Sequence, residues 1–146
     1  MVVETIKERM NMNIDIVKLK KQANKNGTLV EFLKGNEIDE SNRQFAQIYV
    51  ATILPGKIRG NHYHKKKLEW FSIFNGKVKI ALEDIKTKEK KEFIVDSSEG
   101  HLSRIFLNTE IAHAFKNISK STVILVAYTN KIYDPQNPDT YEYKVL

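Results

Sequence analysis

The stretch that decides the fold of this protein is GKIRGNHYHKKKLEWFSIFNG, which runs from Gly56 to Gly76. It places His62, His64 and Glu69 at short spacing. Side chains two residues apart on an extended segment point to the same face, so the imidazoles of His62 and His64 share one face of that segment. Glu69 follows across a short turn that can return it to that face. This arrangement predicts either a facial set of metal ligands or a proton-transfer group tuned by a neighbouring charge.

Alternating apolar and polar residues predict that the surrounding chain is all-β. In the clearest case, Val78, Ile80 and Leu82 alternate with lysines, which predicts a strand with one buried face. The preceding Asn75 and Gly76 predict a type I′ turn, which would pair residues 68–74 with residues 77–85 as a hairpin. Further strands are predicted at residues 15–19, 28–33, 44–54, 91–95, 102–107 and 122–129, the last of them buried on both faces.

Length and composition are those of one globular domain. A chain of 146 residues with 41% hydrophobic residues can bury one core. We expect residues 14–146 to form that domain, after a flexible or short helical segment at residues 1–13. The absence of cysteine fits a reducing compartment. The first ten residues hold no apolar run, so we expect neither a signal peptide nor a membrane span, and a cytoplasmic location.

The net charge of +6 does not by itself indicate a nucleic-acid polymer, because the Lys and Arg residues are scattered among Asp and Glu. One tight basic run, Lys65-Lys66-Lys67, lies beside the histidines. It predicts either a solvated loop or a site that attracts the phosphates of a small molecule, with Lys67 as the candidate contact.

The pattern Gly-x5-His-x-His-x4-Glu-x6-Gly across Gly56–Gly76 resembles the first motif of the cupin family, with every position filled. His113 and Asn117 resemble the end of the second cupin motif, although Asn108 and Glu110 stand where Pro and Gly are usual. The resemblance implies an all-β cupin barrel, also called a double-stranded β-helix or jelly roll. It also implies a metal site formed by His62, His64, Glu69 and His113.

Two further segments narrow the resemblance within the cupins. Arg59-Gly60-Asn61-His62 is similar to the Arg-Gly-x-His segment of the deoxythymidine-diphosphate-sugar 3,5-epimerases and 3,4-ketoisomerases. The closing run from Tyr133 resembles the carboxy-terminal cupin domain of bifunctional capsular polysaccharide enzymes. The resemblance implies an epimerase acting at carbon 3 of a nucleoside-diphosphate 4-keto-6-deoxy sugar in surface polysaccharide biosynthesis.

Epimerisation beside a ketone requires a base, a group that stabilises the enolate oxygen, and an acid on the opposite face. The resemblance makes His62 the candidate base and Arg59 the contact to the diphosphate or the enolate. Tyr128 or Tyr133 is the candidate acid. Trp70 is expected in the core or as a wall of the substrate site.

Several alternatives stay open at this stage. The cofactor is a divalent metal ion, with zinc or nickel favoured, or there is none. A coordinated histidine cannot use the same lone pair as a base, so these two roles compete at His62. The rival functions are a 3,4-ketoisomerase, a non-catalytic cupin that binds metal or sugar, and a metal-dependent oxygenase. A homodimer is expected, in which an amino-terminal strand covers a sheet edge of the partner.

Overall fold

The computed structural model describes residues 12–146 and is built almost entirely of β-strands. The segment predicted at residues 1–13 lies, except for its last two residues, outside the described part. Short 3-10 turns occur at Gly35–Glu37 and Glu40–Asn42. The strands are β1 (Ile14–Lys20), β2 (Gln22–Asn24), β3 (Gly27–Leu29), β4 (Gln47–Ile53), β5 (Ile58–Tyr63), β6 (Glu69–Ile73), β7 (Lys77–Asp84), β8 (Lys90–Asp96), β9 (His101–Leu107), β10 (Ile111–Asn117), β11 (Val123–Thr129) and β12 (Tyr141–Glu142).

Ten of these strands form two five-stranded antiparallel sheets. One sheet has the order β1-β9-β6-β11-β4 and the other has the order β12-β5-β10-β7-β8. Alternate residues of both sheets point inward and form one apolar core, which includes Phe71, Ile80, Ile105 and Phe115. The prediction of an all-β fold is therefore confirmed. Among residues 12–146, no helix is both long and apolar enough to cross a membrane.

The prediction that Asn75-Gly76 forms the turn of a β-hairpin is wrong. Strand β6 pairs with β9 and β11, whereas β7 pairs with β8 and β10, so the turn carries the chain from one sheet to the other. Asn75 does not take the positive φ of a type I′ turn; only Gly76 does, at 79°. The Asn75 side chain instead donates to the carbonyl of Thr122 (2.6 Å) and accepts from the amide of Ile124 (2.7 Å). These bonds anchor the crossing to β11.

Other expectations at the level of single strands had mixed outcomes. The predicted strand at residues 28–33 is reduced to the end of β3, and β5 and β10 were missing from the predicted strands. Both missing strands direct polar side chains inward, which hides the usual alternation. Strand β11 is not buried on both faces, because Ile124 is 41% exposed while Val123 and Leu125 are buried.

Candidate functional site

The structure gathers the four ligand candidates, His62, His64, Glu69 and His113, in one cavity between the sheets. The centroid of the His62 ring lies 5.0 Å from that of the His64 ring and 4.8 Å from that of the His113 ring. The carboxylate oxygen Oε2 of Glu69 is 3.3 Å from Nε2 of His64 and 3.4 Å from Nε2 of His113. Groups that are far apart in the sequence therefore form a single cluster.

A β-bulge in β5 positions His62. His62 pairs with His113, but the next pair is Gly60 with Ala114, so Asn61 is an extra residue with φ of 56°. Residues three apart on a regular strand point to opposite faces. The bulge cancels that alternation, and so Arg59 lines the same cavity as His62.

Gly60 is required where β5 passes β10. Its φ is 101°, a conformation that residues with a side chain rarely adopt. A Cβ at this position would lie 2.5 Å from the carbonyl oxygen of His113 and 2.9 Å from Cα of Ala114. The close backbone approach brings the His62 and His113 rings together.

Backbone carbonyls determine which ring nitrogens face the cavity. Nδ1 of His113 lies 3.0 Å from the carbonyl oxygen of Ile111, and Nδ1 of His64 contacts the carbonyl oxygen of Asp139. A carbonyl oxygen only accepts, so each Nδ1 must carry a proton, and a neutral ring in this arrangement has its lone pair on Nε2. In the neutral form of the two rings, both lone pairs point at the carboxylate of Glu69.

Three electron-rich atoms facing one another need a cation between them. Nε2 of His64 is buried and has no hydrogen-bond partner among the described residues. A proton or a metal ion would relieve the repulsion with Glu69, and imidazoles with one carboxylate are a donor set that suits zinc or nickel. The residues present fit a metal ion: His62, His64 and His113 offer ring nitrogens within 4.8 Å of one another, and Glu69 offers a carboxylate oxygen beside His64 and His113.

Glu69 is buried and has two further polar neighbours. The hydroxyl of Tyr49 donates to its Oε1 at 3.3 Å, and the Lys67 ammonium lies 3.7 Å from the same oxygen. Burial alone would raise the pKa of Glu69, but a donated proton and positive charge from the His64 and His113 rings, together with the Lys67 ammonium, outweigh burial and hold the pKa below its ordinary value. Burial and the neighbouring carboxylate raise the pKa of Tyr49, so its hydroxyl stays protonated.

His62 is the only one of the three clustered rings that is partly exposed. Burial, together with the nearby His113 and His64 rings, lowers the pKa of His62 to about 3. Its imidazole is therefore neutral at neutral pH and keeps a lone pair. That lone pair can bind a metal ion or accept a proton.

The cavity around the cluster has a volume of about 390 Å³. Three other candidates from the sequence, Arg59, Lys67 and Tyr133, line it. The Arg59 guanidinium donates from Nε to the carbonyl of Thr52 at 2.8 Å, which ties the two sheets together beside the cavity. Tyr133 is 52% exposed and lies at the cavity mouth.

The cavity-facing roles suggested for Tyr128 and Trp70 do not fit their positions. Trp70 and Tyr128 are paired across β6 and β11 on the outer face of the sheet, with ring centroids 5.5 Å apart. They pack with Ile38, and the Tyr128 hydroxyl donates to the carbonyl of Gln44 at 2.9 Å. Because side chains alternate along a strand, Glu69 pointing inward forces Trp70 outward.

Sequence reasoning missed several residues of the site. Gln47 and Tyr49 line the cavity from β4, and their spacing of two, which puts them on one face, was a signal that could have found them. Thr140 also lines the cavity, and Asp139 contacts His64. No local pattern in the closing segment indicates that Thr140 lines the cavity or that Asp139 contacts His64.

A family model, the polysaccharide biosynthesis C-terminal domain, matches residues 22–141. A UDP-2-acetamido-2,6-beta-L-arabino-hexul-4-ose reductase of Pseudomonas aeruginosa is 27% identical over 79% of this chain and 28% of its own length. The capsular polysaccharide assembling protein CapF from Staphylococcus aureus has a TM-score of 0.65 and 26% identity over 88% of this chain and 35% of its own. This chain thus spans about a third of the length of these relatives.

Two more distant structures share the fold over most of the chain. The sugar 3,4-ketoisomerase QdtA from Thermoanaerobacterium thermosaccharolyticum has a TM-score of 0.71 and 22% identity, covering 90% of this chain and 89% of its own. The 4-keto-6-deoxy sugar epimerase NovW from Streptomyces spheroides has a TM-score of 0.73 and 16% identity, and the match covers 88% of this chain and 69% of NovW. These matches confirm the predicted cupin fold. Because the family model matches residues 22–141, which is most of the chain, this chain belongs to the polysaccharide biosynthesis C-terminal domain family.

Proposed function

We propose that this chain is an enzyme that epimerises carbon 3 of a nucleoside-diphosphate 4-keto-6-deoxy sugar in surface polysaccharide biosynthesis. The observation that carries the proposal is the cluster of three imidazoles and one carboxylate, with only His62 open to a ligand entering the cavity. Relatives named as a sugar-nucleotide reductase, a capsular polysaccharide protein and keto-sugar isomerases support the substrate class.

His62 is the proposed base. Its neutral imidazole would accept the proton from the carbon beside the ketone, because base catalysis requires a free lone pair within reach of the substrate. His64 and His113 are buried behind it and are directed at Glu69. Those two rings and Glu69 are therefore better placed to hold a cation than to move a proton of the substrate.

Positive charge at the cavity would stabilise the enolate that forms. Lys67 has its ammonium group at Glu69, inside the cavity, and is the proposed contact for the enolate oxygen. Arg59 is exposed beside the cavity and is the proposed contact for the diphosphate, where its planar fork can make paired hydrogen bonds.

Tyr133 is the proposed acid that returns a proton to the opposite face of the sugar. It lines the cavity and is exposed, whereas Tyr49 uses its hydroxyl on Glu69. A divalent metal ion, zinc or nickel, held by His64, Glu69 and His113 would act as a Lewis acid toward the ketone when bound. His62 then stays free for the proton.

The direct test is hydrogen exchange in deuterated buffer. The chain is incubated with UDP- and dTDP-linked 4-keto-6-deoxy sugars, and NMR and mass spectrometry follow deuterium at the carbon beside the ketone. We expect deuterium at carbon 3 and a product epimeric at that carbon, because proton removal and return pass through solvent-exchangeable groups. Absence of exchange with every keto-sugar nucleotide would refute the proposal.

The same experiment separates the closest rival. A 3,4-ketoisomerase would also exchange the proton at carbon 3, but its product would carry the ketone at carbon 3 in place of carbon 4. The likeness to QdtA, which covers 89% of that ketoisomerase, is the observation that favours this second function. A non-catalytic cupin would instead bind metal or nucleotide without any exchange.

We also propose that the chain forms a homodimer through the outer face of the β4 sheet. Phe45, Ile48 and Val50 are 70%, 57% and 65% exposed there, and within residues 12–146 β4 pairs only with β11. An apolar face beside a free strand edge favours association with a second copy.

We expect the double variant I48K/V50K to convert a dimer into a monomer in light scattering. The matched control is Ile94→Lys on β8, where an isoleucine is 60% exposed on the other sheet; loss of the dimer in both variants, or in neither, would contradict the proposed interface.

A further inference from the structure

The loop between β5 and β6 is held by one carboxylate from a distant part of the chain. Backbone amides of Lys65, Lys66 and Lys67 donate to the Asp139 carboxylate at 2.9, 2.8 and 2.9 Å. Hydrogen bonds from backbone amides to an ionised carboxylate are stronger than those to a neutral acceptor, so three of them hold the loop firmly to this side chain. Asp139 thereby determines the course of the chain that leaves His64 for β6.

The backbone of the same residue contacts the histidine cluster. The carbonyl oxygen of Asp139 accepts a hydrogen bond from Nδ1 of His64. This bond requires a proton on Nδ1, so that a neutral His64 has its lone pair on Nε2, which lies 3.3 Å from Oε2 of Glu69. The other buried ring, His113, obtains the equivalent bond from Ile111, only two residues away. His64 is the one that depends on a remote segment.

We infer that Asp139 is a positioning residue for His64. Its carboxylate anchors its own backbone to the loop, and its carbonyl then determines the tautomer and direction of the His64 imidazole. The inference rests on the site used in the proposed function. A partner that orients the second nitrogen of a ligand histidine contributes to metal affinity as well as to catalysis. The consequence can therefore be measured without turnover.

The test is nitrogen-15 NMR of histidine-labelled, metal-free protein, with His64→Gln used to assign the His64 signals. In the wild type we expect His64 and His113 both to be protonated at Nδ1. Asp139→Ala removes the carboxylate that anchors residue 139 to the loop, so the backbone carbonyl of residue 139 no longer holds Nδ1 of His64 in place. We therefore expect the His64 signals to move toward those of a tautomer mixture. His113 should keep its signals, because its partner is Ile111.

A zinc titration gives a second readout. We expect Asp139→Ala to weaken zinc binding about 10- to 100-fold, as loss of an orienting partner does at other metal sites. The matched control is Asp134→Ala, because Asp134 is exposed in the same segment and, among residues 12–146, its carboxylate accepts only from the nearby amide of Gln136 at 2.9 Å. That variant should leave both the His64 tautomer and the zinc affinity unchanged.

Asp139→Asn keeps one acceptor oxygen and should give an intermediate result, and it decides the question if Asp139→Ala does not fold. Unchanged His64 signals in a folded Asp139 variant would overturn the inference, even if its melting temperature falls. Unchanged zinc affinity would do the same. If the wild type exchanges no deuterium with any keto-sugar nucleotide, the proposed function fails, but the tautomer result on Asp139 still stands.

Discussion

Replacing His62 with alanine is expected to lower deuterium exchange at carbon 3 by about 10²- to 10⁴-fold, which is the usual contribution of a positioned general base. His62 is the partly exposed ring of the cluster, so it is the ring that a substrate in the cavity can reach. The measurement is the initial exchange rate by NMR under saturating substrate, compared with the wild type.

Two controls separate a base from a metal ligand. His101→Ala removes a histidine that lies on β9 and contacts Glu99 at 3.1 Å, and it should leave exchange unchanged. Bound metal is measured in His62→Ala by elemental analysis of protein purified without an affinity tag. If His62 acts as the base, the variant retains its metal and loses exchange. Loss of metal together with exchange would show that His62 is a ligand, and full exchange without His62 would contradict both roles.

Gly60→Ala is expected to lower the free energy of unfolding by roughly 3–5 kcal/mol, from backbone strain and overpacking together. The added Cβ would lie 2.5 Å from the carbonyl oxygen of His113, and the residue has φ of 101°. Any folded protein should also lose exchange activity, because β5 and β10 would have to move apart. Urea unfolding followed by circular dichroism measures the stability change.

Gly56→Ala is the matched control for this substitution. Gly56 has a positive φ of 74°, but a Cβ there would meet nothing within 4 Å. We therefore expect a cost of about 1–2 kcal/mol from the left-handed backbone alone, with exchange activity retained. Equal losses of stability in the two variants would show that the contact between Gly60 and His113 does not matter.

Part of the site could be predicted from the sequence because it depends on local geometry. The spacing of two between His62 and His64 puts both rings on one face of any extended segment, and Glu69 returns to that face after the loop. The same rule places Trp70 on the opposite face from Glu69, and so its outward position was also predictable. The outward position of Tyr128 instead depends on the register of β11 against β6, which pairs Tyr128 with Trp70.

Strand pairing was less predictable, because the bonds that decide it are distant in sequence. The dipeptide Asn75-Gly76 is typical of a hairpin, yet Asn75 bonds with Thr122 and Ile124 and directs the chain into the other sheet. The contact of Asp139 with His64 is of the same kind, since no local pattern connects residues so far apart.

The sequence by itself determined that this chain is all-β, with two histidines and a glutamate on one face, because strand alternation and side-chain direction are properties of neighbouring residues. The cupin fold was implied by the resemblance of its motifs to that family. Only the tertiary structure decided that Arg59 joins His62 in the cavity and that His113 lies opposite it. That outcome depends on the bulge at Asn61, which forms where β5 is bonded to β10 and so requires both strands to be in place.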